Sequence, residues 1–411
     1  MKTKFFNFYL LLISFLLANY LYSYNASVIT FGERKAEVNE KLQRVFSFLE
    51  KNKLDGILLS TVRNFAWMTG GGDSHIVITS EMGCAPLLIL KNGKKYLIAS
   101  NSESSRLMNE ALKGLGFELR EFKWFEEFLQ PNRKLEIIKS LTHGMKIGSD
   151  VPFPGTVLVA DEFSKLRYQL TDSEIKKYRW LGFQCAQAVK EVCYQIKPGM
   201  TEKQIEALIS DALMKRGIRP TVILIGTDER IYKYRHATPT EKKLKKYAMV
   251  NICAEKWGLV IAMTRFVHFG PLSKDLEKKM HSVARVDSVY LNMTRPGMPA
   301  YKILEAGQKA YEAEGYKDEW KEHHQGGAIG YLEREWIVYP GLKEKVRERQ
   351  AFAWNPTIRG TKCEDTIICF KDGIEILTEI KDWPKIKVTV NGKTFYRPAI
   401  CLLYTSPSPR D

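Results

Sequence analysis

Four polar segments of the 411-residue chain hold side chains able to move protons or grip anions. Tyr234-Arg235-His236-Ala237-Thr238-Pro239-Thr240 carries one histidine. His323-His324-Gln325-Gly326-Gly327 carries two more and runs on to Arg334-Glu335. Segment 249–265 ends in Thr264-Arg265, and segment 352–366 holds Asn355-Pro356 and Glu364-Asp365. Imidazole titrates near neutrality, so His236 is a candidate acid/base; an idle loop histidine beside a Pro turn is the equal alternative. His323 and His324 are candidates to line a cleft, against a Gly-rich turn kept for its shape. Arg265 and Arg334 have the fork geometry to hold a substrate carboxylate, or else to pair internally with Glu335, Glu364 or Asp365. Gln325-Gly326-Gly327 lacks the Gly-Lys-Ser/Thr or Rossmann spacing of a phosphate loop. Nothing beside Cys253 activates it as a nucleophile, and Lys242-Lys243 with Lys245-Lys246 reads as a solvated face.

These segments need a scaffold. Val38, Leu42, Val45 and Leu49 form an i, i+4, i+7, i+11 stripe, which predicts an amphipathic helix over 33–53. Gly56–Leu59, Val77–Thr79, Pro86–Leu90 and Tyr96–Ala99 read as strands, with a turn at Asn92-Gly93. This α/β region is assigned to residues 24–165. A second unit, 166–400, begins at the capping box Thr171-Asp172-Ser173-Glu174, which opens a long helix. Thr201-Glu202-Lys203-Gln204 opens another, and Gly217 ends it. Lys197-Pro198-Gly199-Met200 recurs 98 residues later as Arg295-Pro296-Gly297-Met298, and Gly217 recurs in register as Gly315. We read a duplicated α+β unit whose halves meet at a cleft. The fold class is α/β (α+β).

With 45% hydrophobic and 27% charged residues, full disorder and collagen-like repeats are excluded. The length suits two domains. The net charge of +16 belongs to the body of the chain, since the first 23 residues add only Lys2 and Lys4 and the last eleven cancel. A basic body favours anionic small molecules or surfaces. No zinc finger, Arg-rich arm or RNA-binding aromatic signature is present, so no nucleic-acid partner is expected. Residues 1–23, with Lys2, Lys4 and the apolar run Phe5–Leu21, read as a secretory signal peptide, or as an anchor if uncleaved. The expected location is secreted or periplasmic, with no other membrane contact. Residues 401–411 match an in-frame translation of a sequencing-library adaptor and are set apart from the fold as an artefact. No cysteines form Cys-x-x-Cys. Cys185 and Cys193 share a helix face, Cys363 and Cys369 a strand face, and all four are expected as buried thiols, with a disulfide left open by the export signal. Asn25-Ala26-Ser27 and Asn292-Met293-Thr294 are sequons, meaningful only in a glycosylating host.

At Trp257-Gly258…Thr264-Arg265, Asn355-Pro356 and Gly360…Glu364-Asp365, the chain resembles the pita-bread superfamily of creatinase, aminopeptidase P, prolidase and methionine aminopeptidase. The resemblance covers roughly 172–378, and the region before it resembles the N-terminal domain of the creatinase and prolidase branches. It implies a duplicated pita-bread domain with a curved, mainly antiparallel sheet. It also implies hydrolysis of a C–N bond, a small-molecule or short-peptide substrate, and a homodimer. Active members hold two divalent metals with Asp, Asp, His, Glu and Glu. The matching positions here are Asn251, Ala262, Gly327, Asn355 and Glu364. A gapped alignment would exchange Asn251 for Cys253, and a shifted one Gly327 for His324. Hard cations need oxygen anions, so the resemblance leaves no metal and no cofactor expected. Creatinase works without metal and has Asn and Ala where Asn251 and Ala262 stand. Its acid/base histidine lies in a segment resembling Arg235–Pro239, and it keeps the carboxylate at Glu364. Its second essential glutamate falls on Thr264. The implied catalytic pair is therefore His236 and Glu364, with His323, His324, Arg265, Arg334 and Glu335 about the substrate. Three functions remain open: a metal-independent hydrolase of a small amide, amidine or dipeptide; a non-catalytic binder; and a metal-dependent Xaa-Pro peptidase with atypical ligands.

Overall fold

A computed structural model describes residues 28–404. Helix α1 (Phe31–Lys51) starts at a capping box in which Thr30 and Glu33 satisfy each other's backbone N–H groups. Its stripe of Val38, Leu42, Val45 and Leu49 is buried. The chain continues through β1 (Gly56–Thr61), α2 (Val62–Met68), β2 (Met82–Leu90), β3 (Lys95–Ser100), β4 (Glu118–Phe122), β5 (Ile147–Ser149) and β6 (Val157–Leu158). These strands form one mixed sheet in the order β4-β3-β2-β1-β5-β6. The strand expected at Val77–Thr79 does not form. Ile76, Val77 and Ile78 are instead 60–64% exposed in a loop. Both edges of β1 are already taken by β2 and β5, so this apolar triplet has no ladder to join there.

The second unit opens with α3 (Asp172–Gln195) and α4 (Glu202–Met214), each started by the expected capping box at Thr171 and Thr201. Strands β7 (Arg219–Thr227), β8 (Tyr247–Lys256) and β9 (Leu259–Phe269) follow. The same order returns as α5 (Lys274–Met293), α6 (Ala300–Ala313), β10 (Gly326–Ile329), β11 (Trp336–Ile337), β12 (Gln350–Trp354), β13 (Asp365–Phe370) and β14 (Gly373–Ile376). Corner hydrogen bonds repeat with the sequence. The Gly199 N–H donates to the Leu244 carbonyl and the Gly297 N–H to that of Val346; the Leu244 and Val346 N–H groups donate back to Met200 and Met298. Gly199 and Gly297 sit at φ +91° and +86°, where a side chain would be strained.

The first half-sheet has the order β15-β9-β8-β7, where β15 is Cys401–Leu403, and the second β11-β10-β12-β13-β14. All pairings in both are antiparallel except β15 with β9. The fold therefore extends beyond residue 400: Cys401–Leu403, set apart by the sequence reading, pairs along Val267–Phe269. Residues 1–23 and the rest of the tail from Thr405 lie outside the described residues. The halves join where the Thr264 N–H donates to the Glu364 carbonyl and Thr366 bonds both backbone groups of Ala262. Every described cysteine is a free thiol. Among the described residues no helix is long and apolar enough to cross a membrane.

Buried charges fasten the first unit to the second. Lys41 Nζ lies 2.6 Å from Glu37 and 2.7 Å from Glu174, and Lys177 Nζ lies 2.7 Å from Glu37, all four side chains being essentially without solvent contact. The Tyr331 hydroxyl donates to Glu174 at 2.6 Å. Arg167 reaches the Glu335 carboxylate with two nitrogens and Asn64 with a third. Two ammonium groups balance two carboxylates in the Lys41 cluster, so removing one member strands a buried charge. Lys41→Met is expected to cost roughly 3–5 kcal/mol in urea unfolding. Burial pulls the Glu174 pKa upward, but Lys41 and the surrounding hydrogen bonds overcome it and hold it at about 2 instead of 4.5. A depressed carboxylate stabilises above its unfolded pKa and loses that contribution as pH falls. Stability against urea is therefore expected to drop between about pH 4.5 and pH 2 in the wild type. A smaller drop is expected in Lys41→Met.

Candidate active site

Glu364 immediately precedes strand β13, within the seam between the half-sheets, and it is 1% exposed. Its Oε2 accepts from Asn251 Nδ2 and from Thr264 Oγ1, both at 2.7 Å, and lies 3.0 Å from Lys362 Nζ. Its Oε1 accepts from Arg334 Nη2 at 3.3 Å. Strand register supplies the two neutral donors, because β8 and β9 place Asn251 opposite Thr264. Burial raises the Glu364 pKa, but Lys362 and then Arg334 outweigh it and hold the carboxyl at about 2. Glu364 is thus a fixed anion and a poor base.

Three histidines gather beside this cluster. His236 lies in the loop between β7 and β8, and His323 and His324 lead into β10. The His236 and His323 Nε2 atoms are 3.0 Å apart, and the His323 and His324 rings stack with centroids 4.2 Å apart. Burial and then the Lys362 charge lower the His323 pKa to about 3; burial and then Arg334 lower that of His324 to about 4. The same burial and Lys362 lower His236. All three rings are neutral at pH 7. The Arg334 Nε is buried without a hydrogen-bond partner, as is the His323 Nδ1. A buried donor such as the Arg334 Nε is costly unless something accepts from it.

Two of the sequence candidates do not join this group. Arg265 points to the opposite side of β9 from Thr264, where it is spent on Asp365 at 2.7 Å and on the Thr378 carbonyl. Glu335 is spent on Arg167 and the Tyr331 N–H. Both are internal ion pairs and neither is offered to a substrate. Cys253 is buried and its thiol pKa is pushed up to about 12, so it stays protonated. The residue that sequence reasoning missed is Lys362. A signal was there, since alternation along an extended segment puts residues 362 and 364 on one face.

The donor set does not fit a pair of hard divalent cations. Asn251 turns an N–H toward Glu364, and Ala262 offers nothing. A Cβ on Gly327 would lie 2.1 Å from the Trp336 carbonyl oxygen, so this glycine serves close strand packing. Asn355 offers one neutral oxygen, buried and unpartnered. Glu364 already faces two cations. Paired hard cations require several anionic oxygens. A cavity of ≈ 640 Å³ opens nearby between the two units, lined by Arg63, Arg219, Trp257, Tyr331 and Glu333 among others. His236, His323 and His324 lie outside its lining.

Residues 176–376 match the model of metallopeptidase family M24. The chain is 23% identical over 362 residues to an uncharacterized peptidase of Staphylococcus aureus, covering 82% of this chain and 98% of the relative. In fold it is similar to the prolidase from Pyrococcus horikoshii, with a TM-score of 0.70 at 19% identity, covering 83% of this chain and 99% of that one. It is likewise similar to the Xaa-Pro dipeptidase from Bacillus anthracis, with a TM-score of 0.68 at 19% identity, covering 89% and 100%.

The Glu364 cluster makes a prediction about coupling. Glu364→Gln strands Lys362 and Arg334 in a buried seam and is expected to cost about 3–5 kcal/mol in chemical denaturation. Adding Lys362→Met to it is expected to restore at least half of that loss. Additive losses from the two substitutions would show that the pair is not coupled.

Proposed function

We propose that this chain, which belongs to the creatinase, aminopeptidase P and prolidase superfamily, is a metal-independent hydrolase. Its substrate is a small amide, amidine or dipeptide that carries a carboxylate. The observation that carries the reading is a neutral His236–His323 pair, 3.0 Å apart, beside two cations that share one carboxylate. Lys362 and Arg334 together outnumber Glu364 by one positive charge, and Arg334 has a spare donor. That surplus suits a substrate carboxylate and repels a metal pair.

His236 supplies the proton transfer. A neutral imidazole accepts a proton from water as the water oxygen bonds to the carbonyl or amidine carbon. The C–N bond then breaks, and the imidazolium returns that proton to the leaving nitrogen. His323, within hydrogen-bond distance, holds the His236 ring in place. Glu364 acts by charge, fixing Arg334 and offering the lightly used Oε1 to the water. The saturation of its other oxygen favours a second reading, a carboxylate-binding protein without turnover.

The test is hydrolysis of a panel of Xaa-Pro dipeptides and guanidino or amidino acids in the presence of EDTA. Turnover is expected to survive the chelator and to fall about 10²–10⁴-fold in His236→Ala. Arg334→Met is expected to raise KM more than it lowers kcat. Loss of turnover in EDTA with recovery on adding manganese would overturn metal independence. Thermal stabilisation by the same compounds without product would establish the binding reading.

A further inference from the structure

We propose that His236, His323 and His324 form a binding site for one borderline transition-metal ion, of the zinc class, distinct in ligand set from a carboxylate-bridged metal pair. One nitrogen from each ring can be chosen so that all three lie within 4.8 Å of one another. The closest pair, His236 Nε2 and His323 Nε2, is 3.0 Å apart. A tetrahedral zinc with Zn–N bonds of about 2.0–2.1 Å sets its ligand nitrogens about 3.3 Å apart. That edge is nearly formed, and the two edges that involve His324, within 4.8 Å here, close by movement of that ring. No carboxylate hydrogen-bonds to any of the three rings among the described residues.

The scaffold holds the rings in place. His323 and His324 are adjacent, and the Gln325 side chain donates to the His323 carbonyl at 2.7 Å while reaching the Trp320 carbonyl at 3.2 Å. The Gly326 N–H donates to His324 Nδ1 at 3.3 Å, so Nδ1 holds the lone pair of that neutral ring and is its ligand atom, the ion replacing this long hydrogen bond. His236 is the exposed member, so the fourth coordination position opens toward solvent.

Charge decides which ion fits. Lys362 and Arg334 oppose an added dication, and Glu364 offsets only one of them. Magnesium, calcium and manganese, which depend on oxygen anions, are therefore disfavoured, whereas zinc, copper and nickel bind imidazole strongly enough to be held. Occupation engages the His236 lone pair. Resting on the function proposed above, the ion acts as an inhibitor of that site, because a ligated imidazole cannot accept a proton from water.

The experiment uses the protein without a histidine tag, stripped with chelator, dialysed against zinc chloride and then against buffer. Elemental analysis is expected to find one zinc per chain, and X-ray absorption a shell of three imidazole nitrogens plus one oxygen. His323→Ala and His324→Ala, checked for folding by circular dichroism, are expected to bind zinc at least tenfold more weakly by calorimetry. His281→Ala, at a histidine outside the cluster, is expected to bind as the wild type does. Zinc retention unchanged in both cluster variants, or no zinc in the wild type, overturns the site. Two metals in an oxygen-rich shell overturn both the site and metal independence. One zinc with full turnover keeps the site and overturns its inhibitory role, and one zinc with no turnover in any assay keeps the site and overturns the hydrolytic reading.

Discussion

A buried carboxylate at the seam of two half-sheets needs positive charge, and in this protein it finds that charge in side chains. Lys362 and Arg334 supply it to Glu364, with Asn251 and Thr264 completing the shell. The rest of the seam follows from this choice. With the charge already met, the neighbouring positions can be an amide, a methyl group and a glycine without leaving an unpaired anion inside the protein. The local surplus is one positive charge, Lys362 and Arg334 against Glu364.

The next residue makes the same arrangement on the other face. Asp365 binds Arg265 through one oxygen and Arg397 through the other, and Arg397 also reaches Asp287 at 2.5 Å. Consecutive side chains on an extended segment point to opposite faces, so Glu364 and Asp365 anchor one cluster each. The segment entering β13 is thereby fixed from both sides. These ion pairs anchor the backbone on both sides of the seam. The loops carrying His236 and His323 sit on that rigid base.

Much of the architecture was legible in the chain. The capping boxes at Thr171 and Thr201 located two helices because their mechanism is local: a side chain three residues away closes the orphan N–H groups. The repeated Pro-Gly corner revealed the duplication because only glycine takes its backbone conformation cheaply. The triplet at Val77–Thr79 misled, since β propensity reports a fit to a pleated surface and that surface was already occupied. Residues 401–403 carry no such local signal, since their pairing depends on an open edge of β9 contributed by a distant part of the chain.

The candidate site divides along the same line. Residue types singled out His236, His323, His324 and Arg334, and the resemblance to creatinase added Glu364 and its pairing with His236. Pairing was beyond the sequence. Arg265 and Arg334 look equivalent in the chain, and each keeps an unpartnered Nε, yet Arg265 is turned to Asp365 on the far face of β9 while Arg334 lies against Glu364 beside the histidines. Lys362 drew no notice, although it sits closer to Oε2 of Glu364 than Arg334 does to Oε1. Local chemistry determined which groups were present. Which charge met which, and which imidazoles came within reach of each other, was decided by strand register and by the meeting of the two halves, because Coulomb and hydrogen-bond energies depend on distances that a one-dimensional order does not contain.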